Sequence, residues 1–254
     1  MTTPADHGHS EACCSVPPIV ASGYKLKGAY TTLGGLKTYS TGPDDASKGI
    51  IYVNDIFGYK DQSLQGADIL SVTNTHQKYK VLFPDFFDGE PAPLDVFPPD
   101  NQDKMDRLMA FLGKNSPPAA AARLPAYVKA ASEQFPSIKS WGVVGFCWGG
   151  KVVSLVTSSA ENPFAAGAEC HPAMVDPKDA AGIKVPVAML ASKDEPPADV
   201  EAFEKALTVP HHVETFSDQL HGWMAARADL ADERIKSEYV RGYKTVIEFF
   251  AKHV

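Results

Sequence analysis

Three residues stand in an order that can perform acyl transfer: Cys147, Asp194 and His221. The cysteine lies in Gly145-Phe146-Cys147-Trp148-Gly149, directly after the apolar run Trp141 to Val144 and before a helix-compatible segment, Lys151 to Ser159. Strand, sharp turn and helix with a nucleophile at the tip form the outline of a nucleophile elbow, here with sulfur in place of the usual serine oxygen. The glycines at 145 and 149 have a steric reason. Strand and helix crowd around the tip, and side chains at those positions would collide. The helix that follows directs its unbonded N–H groups at the sulfur, where negative charge is stabilised. The same stretch also fits a structural turn holding a small buried cysteine.

A thiol nucleophile needs a base, and the base needs an acid to orient it. Asp194 follows the apolar run Val185 to Ala191, within Ser192-Lys193-Asp194-Glu195. His221 follows the run His212 to Phe216, within Leu220-His221-Gly222-Trp223. Both therefore sit just past the carboxyl ends of predicted strands, the edge where open α/β sheets gather functional groups. Glu195 is a rival for the acid. His171, in Cys170-His171-Pro172, closes another short strand on that edge and reads either as pocket wall or as a capped strand end. His211 and His212 open a strand and read as structural, and Cys170 reads as a small buried apolar residue. An oxyanion hole requires two backbone N–H groups. Trp148, next to the nucleophile, supplies one, and Ile56 in Asn54-Asp55-Ile56-Phe57-Gly58 is the candidate for the other. Asp55 reads either as a carboxylate that holds and gates the resting thiol or as a cap for the helix after Gly58.

These groups must be positioned by regular elements. Tyr24 to Thr41 holds two strand-like runs around Gly34-Gly35, a predicted hairpin. Apolar runs at Gly49–Val53, Lys80–Phe83, Trp141–Val144, Ala165–Ala168, Val185–Ala191 and His212–Phe216 then alternate with helical patterns. Short, fully apolar strands separated by helices predict an α/β fold, a mainly parallel sheet with helices on both faces. Leu124, Tyr127, Val128, Ala131 and Phe135 mark one helix, with Pro125 suited to its first turn. Tyr239, Tyr243, Val246, Ile247 and Phe250 mark the closing helix. Met105, Leu108, Met109 and Leu112 mark a shorter one inside the Pro- and Asp-rich stretch from about 84 to 118, too long for a simple connector and read as a cap over the site.

With 254 residues the chain can bury a core without metal or disulfide help. The net charge of −7 argues against nucleic acid or an anionic membrane as partner. No apolar window reaches the length of a spanning helix, and residues 1–22 form a polar leader without the features of a secretory signal. Four cysteines make no disulfide scaffold, so a reducing cytoplasm is the expected setting. His7, His9, Cys13 and Cys14 in the leader could hold a metal, but their spacing fits no finger pattern, and a flexible tail with no metal is expected.

With Asp55-Ile56-Phe57-Gly58, Phe83-Pro84-Asp85-Phe86-Phe87-Asp88-Gly89, the cysteine elbow through Gly150, Lys193-Asp194 and His221-Gly222 in this order, the chain resembles the dienelactone hydrolase family from about Gly28 to its C-terminus. Ala12-Cys13-Cys14-Ser15, Gly28-Ala29-Tyr30 and Thr41-Gly42-Pro43 look like the fungal branch of that family. The resemblance implies a single α/β-hydrolase domain over 23–254 and cofactor-free hydrolysis of a small lactone or activated ester through an acyl-enzyme. It implies Cys147 as nucleophile, His221 as base and then acid, Asp194 as orienter, and Ile56 and Trp148 as the oxyanion hole. Asp55 stands where bacterial members carry a thiol-pairing glutamate. Those members hold a substrate carboxylate with arginines, one of them four residues after the histidine; here that position is Ala225, with Arg227 two further on. Phe57, Phe86, Phe87, His171, Trp223 and Arg227 are the pocket candidates, with Phe97 adding to the aromatic content. A small-molecule substrate and a monomer or homodimer are expected. The competing readings are an isomerase or acyl-transfer enzyme on the same site, and a binding protein with a relict pocket.

Overall fold

The computed structural model describes residues 21–72, 78–96 and 98–254. The leader with its Cys13-Cys14 pair, His76 and Phe97 lie outside the described residues. The chain begins with strands β1 (Ala29–Leu33) and β2 (Leu36–Thr41), joined by Gly34 and Gly35 at φ 56° and 79°. Positive φ at both loop positions is what a two-residue hairpin turn matching the strand twist requires, and glycine adopts it without steric cost. Six more strands follow: β3 (Lys48–Val53), β4 (Tyr79–Pro84), β5 (Ser140–Phe146), β6 (Ala166–Cys170), β7 (Val187–Ser192) and β8 (His211–Phe216). Each overlaps a run expected from the sequence, with β6 and β7 starting one and two residues later than their runs.

The sheet order is β1-β2-β4-β3-β5-β6-β7-β8; β2 runs antiparallel to both β1 and β4, and β3 to β8 are mutually parallel. This is the α/β-hydrolase arrangement. Helices α1 (Asp61–Val72) and α7 (Glu233–His253) cover one face, where Ile50, Tyr52, Val144 and Phe146 meet Leu64, Tyr243 and Phe250. On the other face Ile51, Val53 and Val143 meet Leu124 and Tyr127 of α3 (Pro117–Gln134) and Val152 and Val153 of α4 (Trp148–Ser158). Alternate residues of one strand thus enter opposite cores, which is why the strands read as continuous apolar runs. The short α5 (Pro177–Ala180) and α6 (Pro197–Ala206) pack a third cluster against Val187, Met189 and Ala191.

Helix α3 begins earlier than its apolar stripe suggested. Ser116 caps it, its hydroxyl accepting from Ala119 N–H, and Pro117 and Pro118 occupy the first positions. Pro125 therefore lies inside the helix, tolerated because the alanine-rich turns before it favour helix strongly. The stretch from 84 to 118 carries a 3-10 turn (Leu94–Val96) and α2 (Gln102–Lys114), capped by Asn101 accepting from Lys104 N–H. None of α2's residues is fully buried. No helix among the described residues is long and apolar enough to cross a membrane.

The loops after β3 and β5 leave the sheet side by side, since Val53 pairs with Gly145 while β4 lies on the other flank of β3. Strand order reverses at that point, which opens a crevice at the carboxyl edge. The two elbow glycines are what lets the backbones approach there. A Cβ at Gly145 would lie 2.0 Å from Gly149 O, and one at Gly149 would lie 2.3 Å from Val53 O. Both obstacles are main chain and cannot swing away. Gly145→Ala is therefore expected to cost about 3 kcal/mol of stability, read from the midpoint of a denaturant titration; an unchanged midpoint contradicts this packing.

Candidate active site

Cys147 occupies the tip between β5 and α4, with φ 55° and ψ −113°, a conformation costly for any residue with a side chain. Three hydrogen bonds hold it there. Its N–H donates to Cys170 O at 3.1 Å, and its carbonyl accepts from Gly150 N–H at 3.0 Å and Ala173 N–H at 2.9 Å. Of the four described non-glycine residues with positive φ, three, Cys147, His171 and Met174, belong to these neighbouring loops. Backbone strain is thus concentrated at the carboxyl edge. Trp148, fully buried as the first residue of α4, ties the elbow to the end of α2 by donating its indole N–H to Asn115 O at 2.8 Å. Its own backbone N–H is among the first four of the helix, which have no acceptor within it.

His221 follows β8 and lines the same cavity as Cys147, close enough for the sulfur to act on the charge of its ring. Its Nδ1 lies 2.6 Å from Glu195 Oε1, so Nε2 is the nitrogen left for the sulfur. Glu195 is buried, and its Oε2 accepts from Ser192 N–H at the end of β7. Asp194 was the expected orienting acid, and here the structure corrects the sequence reading. Its side chain is exposed and accepts from the backbone N–H of His221 at 2.8 Å, gripping the loop instead of the ring. The reason is the turn after Ser192, which leaves Asp194 on the outside and folds Glu195 back inward. The longer glutamate then spans from the strand end to the imidazole.

Burial by itself pushes the His221 pKa down, but the negative charges of Cys147 and Glu195 outweigh it and raise the value to about 10. The folded value thus lies above the ordinary 6.5. The stabilisation from this pairing is therefore fully present below about 6.5 and is lost as pH rises through about 10. In Cys147→Ala the negative neighbour is gone while burial remains, so the His221 titration is expected to move down in pH. Imidazole NMR measures this, and an unmoved titration contradicts the pairing.

Asp55 is buried, and burial raises its pKa to about 6 against the opposing backbone hydrogen bonds. Its Oδ1 accepts from Phe57 N–H at 2.9 Å and its Oδ2 from Ala226 N–H at 3.1 Å. It does not cap α1, which starts at Asp61. Oδ1 thus braces the loop after β3, and Oδ2 clamps that loop to the one that carries His221. Ile56, between Asp55 and Phe57, is oriented by its carbonyl accepting from Ala92 N–H at 2.8 Å.

A cavity of about 420 Å³ opens on Cys147 and His221. Ile56 and Trp148 line it beside the sulfur, Leu108 and Leu112 come from α2, and Ala173 and Met174 from the loop after β6. Asp194 and Arg227 complete the wall. Of the expected pocket residues only Arg227 is there. Phe57, Phe86 and Phe87 are buried in the core on the α3 and α4 face, where Phe87 packs edge-on against Trp148 at 5.0 Å. Trp223 is buried against Phe216 at 4.4 Å on the other face. Large rings bury more area in a core than at a rim, and these four do so. His171 lies behind the base, its ring edge-on to His221 at 5.2 Å, fully buried and with neither nitrogen hydrogen-bonded. Burial pushes its pKa well below the ordinary value, so it is a neutral neighbour of His221. Leu108 and Leu112 were legible as part of a helical stripe, though not as pocket wall, and Ala173 and Met174 carried no signal.

The profile of the Dienelactone hydrolase family matches residues 36–254, from β2 to the end of α7. The chain belongs to the dienelactone hydrolase family. Within it, the chain is similar to an AIM2 family protein of Schizosaccharomyces pombe, 36% identical over 94% of this chain and 98% of that protein. It is 28% identical to the human carboxymethylenebutenolidase homolog, over 86% of this chain and 88% of the human one. Among solved structures, the dienelactone hydrolase of Anabaena variabilis shares the fold with a TM-score of 0.62 at 12% identity, covering 91% of this chain and 98% of that one. The chain is thus a member of a hydrolase family with an α/β-hydrolase fold.

Proposed function

We propose that this family member hydrolyses a small lactone or activated ester through a thioester acyl-enzyme on Cys147. The observation that supports it most is the Cys147–His221–Glu195 relay at a strained elbow, open to a cavity. The Cys147 sulfur attacks the carbonyl carbon, and the carbonyl π electrons move onto oxygen. The backbone N–H groups of Ile56 and Trp148 receive that oxyanion. Collapse of the tetrahedral intermediate expels the alkoxide, which takes the proton carried by His221 Nε2. Neutral His221 then removes a proton from water, the hydroxide attacks the thioester, and the acid leaves as the sulfur and the imidazolium are restored. Glu195 holds Nδ1–H so that Nε2 faces the chemistry throughout. Asp194 and Asp55 act through the main chain, fixing the loops that carry the base and the oxyanion donor.

Running the reaction in heavy-oxygen water tests the reaction class. Hydrolysis places one solvent oxygen in the carboxylic acid product. A product of unchanged mass indicates isomerisation on the same site and overturns the hydrolase reading.

A further inference from the structure

We infer that the cavity selects neutral substrates with an apolar acyl part, and that Leu108 and Leu112 of α2 set this preference. The inference rests on the hydrolase reading and deepens it. Leu108 and Leu112 stand one helical turn apart and are the residues of α2 that line the cavity, facing Ile56, Trp148 and Met174. The cations of α2 are engaged elsewhere. Arg107 pairs with Asp95 at 3.0 Å, Lys104 with Asp100 at 2.9 Å, and Lys114 with Glu90.

Arg227 is the cation on the cavity wall, and it is built into the loop of the base. Its Nη1 donates to His221 O at 2.5 Å. Its stem covers Gly222, where an added Cβ would meet Arg227 Cβ and Cδ at 3.0 Å. Bond and stem together hold the guanidinium against the loop that carries His221. The other charged wall residue, Asp194, repels a substrate carboxylate. A carboxylate entering here would lose water without gaining an uncommitted cation, whereas each methylene gains apolar contact.

The test compares kcat/KM for p-nitrophenyl esters of lengthening straight-chain acids with their ω-carboxylated counterparts, using the full chain. Neutral esters are expected to gain about threefold per added methylene until the cavity is filled. A carboxylated ester is expected to be slower than its neutral match by about tenfold or more. Leu108→Lys is expected to narrow or invert that ratio, and since α2 has no fully buried residue the variant should keep its fold. Leu112→Ala is expected to flatten the chain-length dependence. A carboxylated ester turned over as fast as its neutral match, with Cys147 required, overturns this inference and leaves the hydrolase reading standing. Turnover that survives Cys147→Ala, or no turnover of either series, overturns both.

Discussion

Cys147→Ala is expected to lower kcat/KM for an activated ester by about 10⁴-fold or more, because removing the nucleophile leaves only binding and the oxyanion donors. The substitution is small. Position 147 keeps its three backbone hydrogen bonds, which do not involve the sulfur, and alanine bears the φ of 55° no worse than cysteine does. Thermal unfolding should accordingly stay close to that of the parent, so that the lost activity reads as lost chemistry. Cys147→Ser makes a second comparison. An oxygen at the tip keeps the geometry but is a far weaker nucleophile at neutral pH in a site arranged for sulfur, and low residual activity is expected. A Cys147→Ala protein that retains more than a few per cent of parental turnover contradicts the assignment.

The second large effect separates two adjacent carboxylates. Glu195→Gln is expected to lower kcat by about 10³-fold. The amide has a similar shape, but it can donate to Nδ1 and so favour the tautomer that leaves Nε2 protonated at the wrong stage. It also removes the negative charge that helps keep the proton on His221. Asp194→Asn is expected to cost about tenfold or less, since an amide oxygen can still accept from His221 N–H and the side chain does not touch the ring. Measuring kcat for both variants with one activated ester decides between them. A larger loss at Asp194 than at Glu195 returns the orienting role to the aspartate.

That ranking marks the limit of what was legible in the sequence. The strands could be read because β3, β5 and β7 are buried on both faces, which leaves unbroken apolar runs such as Gly49–Val53. The elbow could be read because two close backbone approaches demand glycine at 145 and 149. Neighbouring carboxylates at 194 and 195 carry no such mark. Which of them points inward depends on the dihedral path of one turn, and spacing along the chain is blind to it. Asp55 was legible as an unusual charge beside the oxyanion donor, but its partner is Ala226 N–H, far along the chain, so its role as a clamp emerged only in three dimensions. Aromatic residues were read as pocket because they are numerous near the site. Much of the pocket wall is aliphatic instead, with Leu108 and Leu112 of α2 beside Ile56, Ala173 and Met174, and Phe57, Phe86 and Phe87 lie in the core behind it. The start of α3 was misplaced for a related reason: apolar periodicity marks where a helix packs, while its cap marks where it begins.

The acyl-enzyme itself is the most direct test of the account. Full-length protein mixed with a p-nitrophenyl ester, quenched in acid during turnover and measured by intact-mass and peptide mass spectrometry, should carry one acyl group on the peptide containing Cys147, and Glu195→Gln should accumulate it by slowing deacylation. Rapid turnover with no adduct, or an adduct on any residue other than Cys147, contradicts it.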